Sequence, residues 1–277
     1  MPISVLSIVV FAALLHATWN AVIKRAEDKL FSMILVTGTA GLLAALALPF
    51  LDRPASASWP FLAASSFCQV GYFVLVAQVY RTADLSQAYP LMRGSAPLLV
   101  ALTSRLFIGE GLSRTAWIGV FLICSGIIGM STSRGRGGAK GVGLALGTAV
   151  LIAAYTLIDG LGVRRSGAPA SYTMWIFVLT AVPMVSWAIL VGKAGFLAYA
   201  SGRMRQGWIG GVGTLASYGL ALWAMTMAPV AMVAALRETS ILFAIGISAF
   251  FLKERVSRLR VVMACAIAAG AVLMRLA

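Results

Sequence analysis

The stretch IGEGLSRTAWIGVFLICSGIIGM at 108–130 returns in outline 144 residues later as LKERVSRLRVVMACAIAAGAVLM at 252–274. The match extends upstream, where Arg93 returns as Arg237. The two copies share, in the same order, Glu110 and Glu254, Ser113-Arg114 and Ser257-Arg258, Ile123 and Ile267, and Gly126 and Gly270. A membrane chain that repeats itself in this way is built from two related units packed about a pseudo-symmetry axis.

The composition requires lipid as the solvent for most of the chain. Of the 277 residues, 61% are hydrophobic and 11% are charged, whereas a soluble domain carries about 25% charged residues. Crossing a bilayer as a helix takes about 20 apolar residues. We place ten such spans at 4–23, 32–51, 59–80, 86–108, 114–132, 141–162, 170–192, 207–227, 230–252 and 256–276.

Backbone groups in lipid must be hydrogen-bonded internally, and spans of this length satisfy that condition as helices. We therefore predict an all-α integral membrane protein with ten transmembrane helices arranged as two inverted five-helix repeats. The first repeat occupies 1–132, a linker 133–140, and the second repeat 141–277. A second long connection, 193–206, is predicted between the seventh and eighth helices.

The formal charge of +14 does not indicate nucleic-acid binding. Basic residues stand in short clusters between apolar runs, such as Lys24-Arg25 and Arg164-Arg165, where they orient helices and meet anionic lipid headgroups. Cys68, Cys124 and Cys265 lie singly in apolar stretches, without metal-ligand spacing. The sequence also carries no recognised hydrolase, zinc or nucleotide-binding motif, so we expect no enzyme activity, no metal and no cofactor.

Four segments resemble the ten-helix, EamA-type members of the drug/metabolite transporter superfamily. They are HATWNAVIKR (16–25), GYFVLVAQVYRTADLSQAYPLMRGSAPLLVAL (71–102), the stretch at 108–130, and ALRETSILFAIGISAFFLKERVSRLRVVMACAIAAGAVLM (235–274). The resemblance spans essentially the whole chain. It implies two inverted five-helix repeats and export of small metabolites, including amino acids, since aromatic amino-acid exporters of the YddG type are members. We expect a monomeric, multi-pass protein of the bacterial inner (plasma) membrane.

The orientation of the chain is predicted differently by charge and by resemblance. Lys and Arg are more frequent in the loops on the side away from the termini, which by the positive-inside rule places the termini outside. Many ten-helix members of the resembled family are described with both termini in the cytoplasm. The sequence leaves both orientations open.

Aromatic and polar side chains on two helix faces are the first candidates for a substrate site. His16, Trp19 and Asn20 share one face of the first helix, as substrate ligands or as a polar cluster between helices. In the third helix, Gln69, Tyr72 and Tyr80 lie along a second face, and Tyr218 of the eighth helix corresponds to Tyr72. Tyrosine hydroxyls can bind a solute whose apolar part packs on the rings.

Charged residues inside spans are the second group of candidates. Asp159, one turn after Tyr155, is costly in a membrane and can hold an ammonium group, relay a proton, pair with an arginine, or reach solvent near its helix end. Arg93 and Arg237 can bind a carboxylate or lock loops structurally, with Glu238 as a neutralising partner. The complete set of candidate substrate-binding residues is His16, Trp19, Asn20, Gln69, Tyr72, Tyr80, Tyr89, Arg93, Tyr155, Asp159, Trp175, Tyr218, Trp223, Arg237 and Glu238.

The leading functional prediction is a secondary-type carrier that exports amino acids, aromatic or apolar ones first, by alternating access. A carrier for another small solute, such as a phosphorylated sugar, requires more basic residues converging on the cavity. A membrane partner or sensor without transport activity requires a filled centre in both repeats.

Overall fold

The computed structural model describes residues 1–24, 26, 28–131, 138–250 and 257–277, in which every regular element is a helix. Two single 3-10 turns, Leu48–Phe50 and Ser56–Ser58, join the second and third α-helices. The α-helices are α1 Ile3–Lys24, α2 Lys29–Ala47, α3 Trp59–Thr82, α4 Leu85–Phe107, α5 Arg114–Gly129, α6 Gly138–Ser166, α7 Pro169–Val191, α8 Lys193–Met225, α9 Val230–Arg237, α10 Ser240–Phe250 and α11 Arg258–Leu276.

The helices supply ten membrane spans. Seven stretches of the described residues are long and apolar enough to cross a membrane, with α9 and α10 together forming one of them. The shorter α5 and the more polar α4 and α8 complete the ten. The predicted fold class, an all-α integral membrane protein with two five-helix repeats, is confirmed.

Helix pairing follows the repeat. α2 packs on α7, α4 on α9 and α5 on α11, so that each helix contacts its own counterpart. The first and third helices of the repeats exchange partners, because α1 packs on α8 and α3 on α6. A pseudo-twofold axis requires both kinds of pairing, and an odd number of helices in each repeat inverts the second repeat relative to the first.

The stretch at 108–130 and its copy meet each other at this axis. A Cβ atom on Gly119 of α5 would lie 2.8 Å from the carbonyl oxygen of Gly270. A Cβ on Gly270 would lie 2.7 Å from the carbonyl oxygen of Gly119. Glycine is therefore required at both positions, because the two backbones are in direct contact.

Two predicted segments have features that the sequence did not indicate. The predicted connection 193–206 is helical up to a kink at Arg203 (φ −131°, ψ 18°), and beyond the kink α8 continues to Met225, close to the predicted span 207–227. This segment is helical because its aromatic residues pack on α2, with the Phe196 and Phe31 rings 5.6 Å apart. The predicted ninth span is present as the stretch Val230–Ala249, in which a turn at Glu238 and Thr239 separates α9 from α10.

The two ends of the helix bundle differ in packing. At the end where α4, α6 and α8 finish, which we name the closed end, the largest apolar cluster fills the centre. It includes Val5, Val9, Leu62, Val100, Val163, Tyr172, Met225 and Val230. At the opposite end, where α2 and α4 begin, the centre contains a cavity. We name this the cavity end.

Candidate functional site

A cavity of about 170 Å³ lies between the two repeats, from the middle of the bundle toward the cavity end. It is smaller than the roughly 300–1,000 Å³ of pockets that hold drug-sized ligands. Its lining comes from both repeats and consists of His16, Trp19, Asn20, Lys29, Met33, Val36, Thr37, Gln69, Tyr72, Phe73, Tyr89, Arg93, Tyr155, Phe177, Thr180, Thr214, Ser217, Tyr218 and Arg237.

Most of the residues predicted from the sequence meet in this cavity. Asp159 and Glu238 are buried immediately behind its lining, where they contact lining residues. The side chain of Tyr80 lies outside the described part of the chain. The predicted residues that line the cavity are His16, Trp19, Asn20, Gln69, Tyr72, Tyr89, Arg93, Tyr155, Tyr218 and Arg237.

Two predicted tryptophans do not line the cavity. Trp175 packs on Trp59, with ring centroids 5.0 Å apart. It lies two residues before the lining residue Phe177 and hence about 200° around α7. Trp223 is 43% exposed on the outer surface, since it follows Tyr218 by five residues and points about 140° away from it.

Aromatic rings from α3, α6, α7 and α8 form one wall of the cavity. Ring centroids are 5.9 Å apart for Tyr72 and Tyr155, and 6.5 Å apart for Tyr155 and Tyr218. Phe177 continues the wall, 6.1 Å from Tyr218 at an interplanar angle of 86°. The wall offers an apolar surface bearing phenolic hydroxyls, which suits a solute with both apolar and polar parts.

Polar groups of α1 face the same space. The Trp19 indole lies edge-on to the His16 ring, with centroids 5.3 Å apart. Its Nε1 is buried and has no hydrogen-bond partner among the described residues. Asn20 Nδ2 donates to the carbonyl oxygen of His16 at 2.8 Å, so this bond lies within α1 and does not join two helices.

The two arginines related by the repeat have different surroundings. Arg93 Nη2 is 2.9 Å from Glu238 Oε1, in an ion pair that joins the two repeats. The interruption between α9 and α10 positions this glutamate, and Gly94 occupies the corresponding place in the first repeat. Glu238 thus pairs with Arg93, and among the described residues no carboxylate forms an ion pair with Arg237.

Arg237 remains a cation without a carboxylate partner. Its guanidinium carbon lies 5.1 Å from the centroid of the Tyr218 ring, a cation–π contact. Across residues 1–24, 26, 28–131, 138–250 and 257–277 it forms no ion pair. A guanidinium that forms no ion pair, at the wall of a cavity, is suited to binding an anionic group.

Asp159 is fully buried between α3, α6, α7 and α8. Its carboxylate accepts hydrogen bonds from Tyr218 Oη (2.5 Å), Tyr172 Oη (3.1 Å) and Gln69 Nε2 (3.3 Å). The predicted pairing with Arg93 or Arg237 is therefore wrong. The predicted exposure near a helix end is also wrong, because α6 continues to Ser166.

Several site residues were not predicted. Thr214 and Ser217, with Tyr218, follow helical spacing on α8, and this polar stripe is detectable in the sequence. The apolar lining residues of α2, Met33 and Val36, carry no such signal, because most residues of α2 are apolar. The further lining residues that were not predicted are Lys29, Met33, Val36, Thr37, Phe73, Phe177 and Thr180.

A polar network ties the repeats together at the closed end. Arg164 forms an ion pair with Glu110 (Nη1 to Oε1, 2.5 Å) and donates to the carbonyl oxygens of Met225 (2.7 Å) and Ala228 (2.8 Å). Glu110 Oε2 accepts from the backbone N–H of Val230 at 2.9 Å. The network connects the end of α4 with the ends of α6 and α8 and the start of α9.

Ten spans in two inverted repeats, closed at one end around a central cavity, have the architecture of a carrier. The sequence profile of the EamA-like transporter family matches residues 3–132 and 139–276. The chain belongs to the EamA-like transporter family. This EamA-like protein is thus a multi-pass membrane transporter of small solutes, and its two matched segments correspond to the two repeats.

Solved structures share the fold of this EamA-like transporter. One of them, titled "Crystal structure of protein", superposes with a TM-score of 0.76, covering 99% of this chain and 98% of that one. The two sequences are 19% identical, so the likeness concerns the fold alone. A comparison with curated proteins finds no match.

Proposed function

We propose that this EamA-like transporter exports a small metabolite bearing a carboxylate across the bacterial inner membrane by alternating access. Amino acids with aromatic or apolar side chains are the first substrate class. The observation that carries the proposal is Arg237, a cation without a carboxylate partner within the described ranges, at an aromatic cavity between the repeats. The pathway needs only one chain, because helices from both repeats of this chain line the cavity.

The charge of the lining favours a solute with an anionic group. Arg237 can bind a carboxylate through two parallel N–H donors, a geometry that a lysine cannot reproduce. Arg93 is paired with Glu238, which leaves Arg237 as the arginine of the lining that can receive an anionic group. A cationic drug placed there would bring like charge to Arg237.

The size and composition of the cavity favour an amino acid over a larger metabolite. The volume of about 170 Å³ suits a small molecule. The rings of Tyr72, Tyr155 and Tyr218 provide apolar surface for a side chain and hydroxyls for polar groups. The carboxylate at Arg237 and the side chain on this wall would occupy neighbouring parts of the cavity.

The difference between the two ends of the bundle supports alternating access. The closed end has a filled apolar core and the Glu110–Arg164 network, while the cavity end holds the solute site. Such a carrier alternates between this arrangement and one in which the closed end opens. A phosphorylated sugar is less favoured, since Glu238 neutralises one of the basic residues it would need. The cavity argues against a partner or sensor with a filled centre.

Counterflow in proteoliposomes tests the proposal. Vesicles are preloaded with unlabelled phenylalanine, and entry of labelled phenylalanine is measured for wild type, Arg237→Gln and Arg275→Gln. Arg275 is exposed in the last turn of α11 and serves as the matched control. We expect stimulated entry in wild type and the control, and a loss of at least tenfold in Arg237→Gln. Absence of counterflow with every amino acid tested, in folded protein, would refute the substrate class. Counterflow that survives Arg237→Gln would refute the site.

A further inference from the structure

The solute site described above makes no direct use of Asp159. This carboxyl group is fully buried behind the lining, yet two of its hydrogen-bond donors, Tyr218 and Gln69, line the cavity. Another donor, Tyr172, belongs to the packed core on α7. Tyr218 and Gln69 therefore stand between Asp159 and a solute in the cavity. An amino acid bound there does not need to contact the carboxyl group directly.

The hydrogen-bonding partners of Asp159, which include Tyr218, Tyr172, Gln69 and Ser65, are neutral groups. No basic side chain in the described part of the chain forms an ion pair with it. The same neutral partners can hold the carboxyl group with or without a proton, because an O–H on Asp159 can donate to the Tyr218 oxygen.

Few other groups near Asp159 could bind the proton in its place. The titratable or charged groups on the elements packed around this part of α6 include Cys68 and Tyr72 on α3, Tyr89 and Arg93 on α4, Tyr172 on α7, Tyr218 on α8, Arg237 and Glu238 at the end of α9, and Tyr155 on α6 itself. Glu238 is the other carboxyl group in this set, and it is held in an ion pair by Arg93.

Tyr218 links Asp159 to the proposed carboxylate site. Its hydroxyl donates to Asp159 Oδ2, and the Arg237 guanidinium lies against its ring. When Asp159 takes up a proton, the new O–H donates to the Tyr218 oxygen. The Tyr218 hydrogen then becomes available to a carboxylate in the cavity. Protonation also removes a negative charge from the neighbourhood of that carboxylate.

We propose that Asp159 is a proton-binding site, and that a proton binds there together with the carboxylate-bearing solute. The coupling to solute rests on the proposed function, because it assumes a carboxylate at Arg237. The proton passes from water to an Asp159 oxygen when the solute binds and returns to water when the solute leaves. A solute moving outward down its own gradient would then carry protons with it.

The first test needs no solute. Infrared difference spectra of the purified protein in lipid are recorded across a pH titration for wild type, Asp159→Asn and Asp52→Asn. Asp52 is an exposed loop carboxylate and serves as the control. We expect the C=O stretch of a protonated, buried carboxyl group in wild type and the control, and its loss in Asp159→Asn. A band that persists unchanged in folded Asp159→Asn would overturn the assignment of the proton site.

The second test measures coupling. Phenylalanine is added to the protein in weakly buffered solution containing a pH indicator, and proton uptake is compared with phenylalanine binding under the same conditions. We expect uptake in wild type and in Asp159→Glu, which keeps a carboxyl group, and loss of uptake in Asp159→Asn. Phenylalanine binding with no proton uptake, or with proton release, would overturn the coupling and leave the proposed function intact. Failure of phenylalanine to bind would instead count against the proposed function, while the infrared titration still decides whether Asp159 binds a proton.

Discussion

Glu110→Gln should favour opening of the closed end. The substitution removes the charge that pairs with Arg164 but keeps a carbonyl oxygen for the Val230 N–H. The lost ion pair is partly shielded from solvent, with side-chain exposures of 29% for Arg164 and 15% for Glu110. Hydrogen bonds to charged groups contribute about 1.5–3 kcal/mol when buried, and exposed ion pairs about 0.2–1 kcal/mol. We take about 1–2 kcal/mol for this pair, which corresponds to a factor of roughly 5–30 in the population of the open state.

Thiol labelling measures that population. Val9 is fully buried in the apolar cluster at the closed end, so Val9→Cys in a background with Cys68, Cys124 and Cys265 replaced by serine reports its opening. We expect Glu110→Gln to increase the rate of maleimide labelling by roughly 5–30-fold, in line with the population change. Asp52→Asn, which removes an exposed carboxylate outside the network, should leave the rate unchanged. An unchanged rate in folded Glu110→Gln would show that the network does not hold this end closed.

Three further predictions concern packing and the lining. Glu238→Gln should lower the free energy of unfolding by about 3–5 kcal/mol, because it leaves Arg93 as a buried unpaired charge. Thermal unfolding in detergent measures this change, and a loss below about 1 kcal/mol would contradict the prediction. Gly119→Val should destabilise the protein by about 1–3 kcal/mol or more through overpacking at the α5–α11 contact. The control Gly111→Val should have little effect in the same unfolding experiment, because a Cβ at Gly111 would meet nothing within 4 Å. Trp175→Phe should leave the apparent affinity for phenylalanine in counterflow within twofold of wild type, because this side chain does not line the cavity; a tenfold change would show that it belongs to the site.

The repeat and the spans could be predicted because they depend on local properties of the chain. Apolar runs of sufficient length indicate membrane helices, and the similarity of 108–130 to 252–274 indicates duplication. The start of α8 could not be predicted in this way. Its basic and small residues are typical of a loop, and its helical structure depends on packing against α2. The division between α9 and α10 likewise occurs inside an apolar run.

The members of the site could be predicted better than their partners. Polar and aromatic residues within spans indicated most of the lining, because such residues are costly in lipid and face the interior. The duplication made Arg93 and Arg237 appear equivalent, but only Arg93 has a glutamate partner. That difference depends on where the interruption after α9 positions Glu238. The neutral donors around Asp159 come from three helices distant in sequence, so no local pattern predicts them.

The most direct test of the central claim, a solute carboxylate bound at Arg237, is counterflow with matched preloads. Wild-type vesicles are preloaded with phenylalanine or with phenethylamine, which has the same ring and amine and lacks the carboxylate, and entry of labelled phenylalanine is followed. We predict that phenylalanine stimulates entry and that phenethylamine at the same concentration does not. Equal stimulation by both preloads would contradict recognition of the carboxylate by Arg237.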